Sequence, residues 1–206
     1  DVVSLQPIVM GNRMDILAVV SDTTTPSSPQ LKVFACAITA TVSMAGGIQT
    51  ITLSDPSSFT QVTFANIEDE TLLTGYSPLD IVAEYWGDGQ YTDLVAIKLY
   101  KPMSPPMLVR YQFTSGGSPT LTRVRAMRID NSDMIFCPMR DEVVFYVPKA
   151  RQIFAQRWDK IIVMGKGQSR FMYPLNEYNV SSIIQFRCVS ERGFFQILTK
   201  ATGSTR

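Results

Sequence analysis

Eighteen carboxylates, nineteen cationic side chains and no histidine define the chemistry open to this 206-residue chain. Without histidine there is no Ser-His-Asp or Cys-His nucleophile pair and no two-histidine metal triad. Any response to acid must then come from carboxylates or from partner chains. Paired carboxylates remain as a route to catalysis, because a glycosidase needs two acids facing one sugar bond. The candidates are Glu84 with Asp88 or Asp93, and Asp141 with Glu142. Adjacent residues of a strand point to opposite faces, which separates Asp141 from Glu142. Glu84 falls on the polar side of a predicted helix, facing solvent. The run Glu68-Asp69-Glu70 reads as a solvated acidic loop, with a calcium site as the rarer alternative. Gly165-Lys166-Gly167-Gln168-Ser169 lacks the Gly-x4-Gly-Lys-Ser/Thr spacing of a phosphate loop and reads as a polar turn. No catalytic residue, metal site or cofactor is expected.

The cationic side chains cluster more than the acids do. Arg123, Arg125 and Arg128 lie in or beside one predicted strand, where Arg123 and Arg125 would share a face, and Lys149, Arg151 and Arg157 flank Pro148 and Trp158. Interleaved with Phe154 and Trp158, these residues could contact RNA phosphate and stack on a base. They could equally pair with acids of this chain or of a neighbouring subunit. Residues 1–100 carry three cations against eleven acids, and residues 101–206 carry sixteen against seven. That asymmetry suits contact with charged neighbours, unless the fold interleaves the halves.

The elements that would position these groups are mostly strands. Ser77, Pro78 and Asp80 form a helix-start pattern. Leu79, Val82, Ala83 and Trp86 fall at helical spacing and Gly87 follows as a stop, so the pattern predicts a helix over 77–86. Beyond the Trp86-Gly87-Asp88-Gly89 corner the period changes to two: Tyr91, Val95, Ile97 and Leu99 share one face, as do Met107, Val109, Tyr111 and Phe113 on the next strand. Further strands are predicted at 31–42, 48–53, 60–65, 121–129, 143–147, 159–164, 181–189 and 194–198, with turns at Gly46-Gly47 and Asp55-Pro56-Ser57-Ser58. Residues 1–30 read as an arm ending in a Ser/Thr/Pro linker, in which Met14–Val20 could add a strand. Many short strands and one short helix predict an all-β antiparallel fold. No apolar run approaches the ~18 residues of a membrane span. Cys36, Cys137 and Cys188 are far apart, odd in number and without metal-ligand spacing, so they read as buried free thiols in a reducing compartment. Asn179-Val180-Ser181 matches a glycosylation sequon that such a compartment would leave unused. The start at Asp1, with no initiator methionine, reads as a processed product or a boundary.

Three motifs in order resemble picornavirus-like capsid proteins. Tyr85-Trp86-Gly87, after the predicted helix, is similar to that family's aromatic-Trp-X-Gly corner, without the usual basic residue between Trp and Gly. Glu142-Val143-Val144-Phe145-Tyr146-Val147-Pro148 resembles the strand ending in Val-Pro, although Lys149-Ala150 follow it here. Val180–Phe186 followed by Glu191-Arg192-Gly193-Phe194-Phe195 resembles the last strand and its aromatic pair. The resemblance covers roughly residues 77–200. It implies an eight-stranded antiparallel jelly-roll β-sandwich with one or two short loop helices, comprising an arm at 1–30, the jelly roll at 31–200 and a tail at 201–206. It also implies a non-enzymatic subunit of the icosahedral shell of a small positive-strand RNA picorna-like virus, one infecting invertebrates. Its location would be the virion, with host cytoplasm during assembly. Its partners would be other capsid chains and single-stranded RNA on the inner face, with the receptor open. Trp86, Tyr91, Phe145 and Phe194 would be packing anchors. Some members hold a fatty acid-like ligand, and the Trp86, Tyr91, Tyr100, Met107, Tyr111 and Phe113 set reads as core before it reads as such a cavity. The alternative is a carbohydrate- or protein-binding β-sandwich module, a capsid protruding domain included.

Overall fold

The computed structural model describes residues 2–22, 24, 30–65, 75–84, 93–129, 133–139, 141–148, 152–158, 170–174, 180–188 and 195–201. Among them are sixteen strands and no helix, so the chain is all-β. The first sheet contains β1 (Val2–Met10), β2 (Arg13–Asp22), β3 (Gln30–Ala45) and β4 (Ile48–Leu53) in chain order, with β5 (Thr60–Gln61) also beside β3. The second contains β6 (Thr63–Phe64), β7 (Ser77–Ala83), β8 (Leu94–Tyr100), β9 (Met107–Thr114) and β10 (Thr120–Arg128), in the order β6-β10-β9-β8-β7. The third contains β11 (Ile135–Pro138), β12 (Glu142–Val147), β13 (Gln152–Arg157) and β14 (Arg170–Pro174) in chain order, and β15 (Val180–Cys188) pairs with β16 (Phe195–Ala201). Every pairing is antiparallel except the two-residue contact of β6 with β10. Three of the sheets are therefore meanders of four consecutive strands. Their first strands approach one another in turn, β1 beside β7, β7 beside β11 and β11 beside β15.

The alternation of side chains stacks these sheets. On one face of the second sheet, Ile81, Val95, Ile97, Leu99, Val109, Tyr111 and Phe113 join Ile8, Leu17, Val19 and Val33 of the first sheet in the larger core. On its other face, Ala96, Leu108 and Met127 meet Phe136, Val143 and Phe145 of the third sheet, together with Trp158. The middle sheet is thus covered on both sides. Such strands are apolar at nearly every position rather than at every second one, which accounts for the run Leu94-Val95-Ala96-Ile97 in β8. The expected shared faces of Val95, Ile97 and Leu99 and of Val109, Tyr111 and Phe113 are present, with Val95 opposite Tyr111 and Ile97 opposite Val109. Gly46 and Gly47 form the two-residue turn of the β3–β4 hairpin, with φ of 60° and 79°. Both residues of a type I′ turn need positive φ, which glycine adopts without a Cβ clash.

Two expectations are overturned. Residues 77–83 form β7 instead of a helix, and Ile81 is 1% exposed within the main core. A two-turn helix is marginal in isolation. Pairing with β8 satisfies the backbone of this segment, and Ile81 and Val82 are β-branched. Leu79, expected on the buried helix face, sits at a register shift between Pro78 and Asp80 and is 37% exposed. Residues 2–22, expected within an arm, form β1 and β2, whose Ile8, Leu17 and Val19 lie in the main core. The expected strand at 159–164 and the tail beyond Ala201 lie outside the described residues, whereas β11, β13 and β14 were not anticipated.

The thiols also divide. Cys36 is free and buried, its Sγ donating to the Ser57 carbonyl at 2.9 Å, whereas Cys137 is disulfide-bonded and not the free thiol expected. Sequence spacing carries no information on which sulfurs meet in space. Disulfides persist in oxidising surroundings. Alkylation of the purified chain in denaturant without reductant is expected to label Cys36 and leave Cys137 unmodified until reduction. Labelling of both before reduction refutes that assignment.

Candidate interaction surfaces and the buried ion pair

Between the second and third sheets two of the sequence candidates, Glu84 and Trp158, meet at Arg110, which the sequence had not singled out. Glu84 follows β7 directly, and its amide donates to the Leu94 carbonyl at 2.9 Å. Its side chain is fully buried and not solvent-facing as expected, because the predicted helix is a strand. Arg110, which points from β9 toward the third sheet, meets it twice: Nη2 donates to Oε2 at 2.7 Å, and Nε lies 2.5 Å from Oε1. The same guanidinium sits over the Trp158 ring, 5.4 Å from its centroid, and the Trp158 indole donates to the Met139 carbonyl at 3.0 Å. Burial pushes the Glu84 carboxyl up to about 7, with Arg110 opposing that rise and Asp93 and Asp141 adding to it. Nearby, Lys98 donates from Nζ to the Met134 carbonyl at 2.9 Å, and burial lowers its pKa.

A perturbed carboxyl beside an arginine can mark a catalytic site. Here the geometry argues for a structural tie. A glycosidase acid must reach a glycosidic oxygen, and Glu84 is closed off from solvent with its oxygens turned to Arg110. Asp93, the partner considered for it, instead accepts from the exposed Gln112 side chain at 2.9 Å. Asp88 lies outside the described residues. Asp141 is exposed and Glu142 half-buried at the start of β12. Among the described residues no group of three His, Cys, Asp or Glu is placed to hold a metal. Glu68-Asp69-Glu70 and the 165–169 turn lie outside them.

The cationic candidates separate as well. A β-bulge slips the register of β10 between Arg123 and Arg125: Arg123 pairs with Tyr111 but Arg125 with Arg110. Tyr111 and Arg110 face opposite sides of the sheet, so Arg123 and Arg125 do too, and the shared face expected for them does not form. Arg128 pairs with Met107 and returns to the Arg123 side. Beyond its short contact with β6, β10 is an outer strand, and charged side chains along such an edge discourage pairing with other chains. Arg157 is exposed on β13, opposite Glu142. Lys149 and Arg151 lie outside the described residues. The aromatic partners proposed for a base are occupied, because Trp158 is 5% exposed and Phe154 stacks on Phe145 at 5.4 Å. Of the packing anchors, Phe145 is fully buried; Trp86, Tyr91 and Phe194 lie outside the described residues.

What the sequence reading missed is an apolar surface. No charged residue occurs between Lys32 and Asp55. The end of β3 and all of β4 form a hairpin that carries Val42, Met44, Ile51 and Leu53 at 54–70% exposure. Val42 faces Ile51, Ala40 faces Leu53 and Met44 faces Gln49 across it, so one face is apolar but for Gln49, while Thr41, Ser43, Thr50 and Thr52 occupy the other with Ala45 and Ile48. A run of twenty-two uncharged residues was the available signal. No protein-family model matches the chain, and no curated protein matches it. No helix among the described residues is long and apolar enough to cross a membrane.

Proposed function

We propose that this chain is a non-enzymatic structural module that binds other protein chains through exposed β structure. The uncharged hairpin of residues 40–53 carries that reading. Contiguous exposed apolar surface of this kind marks interaction sites, and Glu84, the buried candidate acid, is spent on Arg110. The stacked four-stranded meanders give a rigid frame of the sort that propeller-like architectures use to present surfaces. Purified from its native source, the protein should sediment as a complex well above its own 23.0 kDa. Recovery as an isolated monomer that binds no protein would refute this reading.

A capsid subunit of a picorna-like virus is the second reading, favoured by β12 ending at Val147-Pro148 and by the β15–β16 hairpin, both strands where that resemblance puts them. It would make the partners sister capsid chains and genomic RNA, and its place the virion. An eight-stranded jelly roll joins two sheets by long crossovers, whereas these meanders pair each strand with its chain neighbour. The helix that introduced the Trp86 corner is a strand. The meander order therefore favours the general binding module, and uniform icosahedral particles in electron micrographs of the native source would reverse that preference.

A further inference from the structure

The outer face of the first sheet continues the apolar hairpin without a break. Register places Leu5, Pro7 and Val9 of β1 opposite Ala18, Ile16 and Met14 of β2, which face Phe34, Cys36 and Ile38 of β3. The same side of β3 runs on through Ala40, Val42 and Met44 to Leu53, Ile51 and Gln49 of β4, and Gln61 of β5 lies beside Phe34. The pairings of β2 with β3 and of β3 with β4 contain no register shift, so the alternation holds across the face. Its only charges are Lys32 and Asp22 at one end, and these pair with each other at 2.5 Å.

The opposite face of this sheet, with Leu17, Val19 and Val33, is sealed in the main core. β2 and β3 are thus apolar on both sides, as β8 is, but the outer side is only partly covered: Ala18 and Cys36 are buried, Cys36 against the Ser57 carbonyl, whereas Ile16, Phe34 and Ile38 are half-buried. Leu5 is 60% exposed and Val9 47%. Strands with apolar residues on both faces belong to sheets covered on both faces, and both faces of the middle sheet are covered by another sheet. With strands about 4.8 Å apart and about 3.4 Å per residue, β1–β3 and the hairpin present roughly 600 Å². Two such faces together bury about 1,200 Å², the lower end of a specific interface.

We infer that this face is the seat of a second copy of the chain, the two first sheets packing face to face about a two-fold axis. The inference rests on the proposed binding role and specifies its partner. A two-fold contact must be self-complementary, and a surface with no net charge opposes apolar residues to apolar residues without like-charge repulsion. The covering layer then matches those already used inside the molecule, an apolar sheet on an apolar sheet.

Light scattering after gel filtration tests this on the whole chain. The expected mass is twice 23.0 kDa, halved by Leu5→Lys with Ile51→Lys. Both side chains are more than half exposed, so the double variant should keep the parent's far-ultraviolet circular dichroism. Arg125→Glu, on the edge of the second sheet, should remain dimeric. A parent that is monomeric at 100 µM overturns the inference, as does a folded double variant that stays dimeric. A monomeric parent still found in large complexes in its native source overturns the inference alone, whereas a monomer in both settings overturns the binding role too.

Discussion

Replacing Arg110 with methionine is expected to cost about 3–5 kcal/mol of folding stability at pH 8, the penalty for stranding a buried charge, and measurably less at pH 5. The guanidinium is the group that meets both Glu84 oxygens in a space closed to water. Removing it leaves the carboxylate with no compensating cation, whereas a protonated Glu84 loses much less. The direction with pH follows from the carboxyl's own shift. Burial raises it from 4.5 to about 7 in the folded chain. Between those values the folded state holds a proton that the unfolded state has released, so stability falls as pH rises through the window and levels off above it. At 1.36 kcal/mol per unit, this group contributes at most about 3 kcal/mol of that fall in the parent. Without Arg110 the carboxyl moves higher still, so the fall continues beyond pH 7 where the parent levels off, and the gap between the two proteins opens there by at most about 1.4 kcal/mol per pH unit. Urea midpoints at pH 5 and pH 8 measure that gap. Glu84→Gln with Arg110→Met should remove its pH dependence. A loss of equal size at both pH values would mean that Arg110 acts by packing on Trp158 and not through Glu84.

The site was legible in composition and not in geometry. The absence of histidine excluded whole classes of mechanism from the sequence alone. The period-two patterns predicted strands at 91–100 and 106–114, and the structure has β8 and β9 there over 94–100 and 107–114, because a strand packed in a sheet writes its two faces into alternate residues. Glu84 was misread because the 77–86 window satisfies helical spacing as well as strand alternation. Tertiary pairing with β8 decided between them, and no local signal reports that pairing. Arg125 was misassigned for a different reason: a bulge adds one residue and turns every later side chain to the other face. The segments around Phe136 and Ile153 carry no strand prediction because they are short, at four and six residues. Their apolar character is explained only by a sheet stacked beyond the middle one.

Phe145→Ala is the second large effect, and it tests whether the three sheets form one cooperative unit. The ring is fully buried in β12, stacked on Phe154 across the β12–β13 pair at 5.4 Å with planes 27° apart. It belongs to the cluster joining the third sheet to Leu108 and Met127 of the second. Truncation removes the largest side chain that β12 places in that seam and leaves a void, at a cost of about 3–5 kcal/mol. Phe145→Leu keeps much of the volume and should cost less than half of that. Because stability differs between regions of a fold, the location of the loss is as informative as its size. The main core between the first and second sheets shares no residue with this cluster. If the sheets unfold together, amide exchange should speed up equally in β2, β8 and β12. If the third sheet is a separate unit, protection should fall in β12 and β13 and persist in β2, β3 and the Val95, Ile97 and Val109 amides. The second outcome is expected. The third sheet meets the rest of the described chain mainly through this seam and the stacking of Arg110 on Trp158, so Arg110→Met should release the same set of amides, and protection lost first in β2 would refute the division.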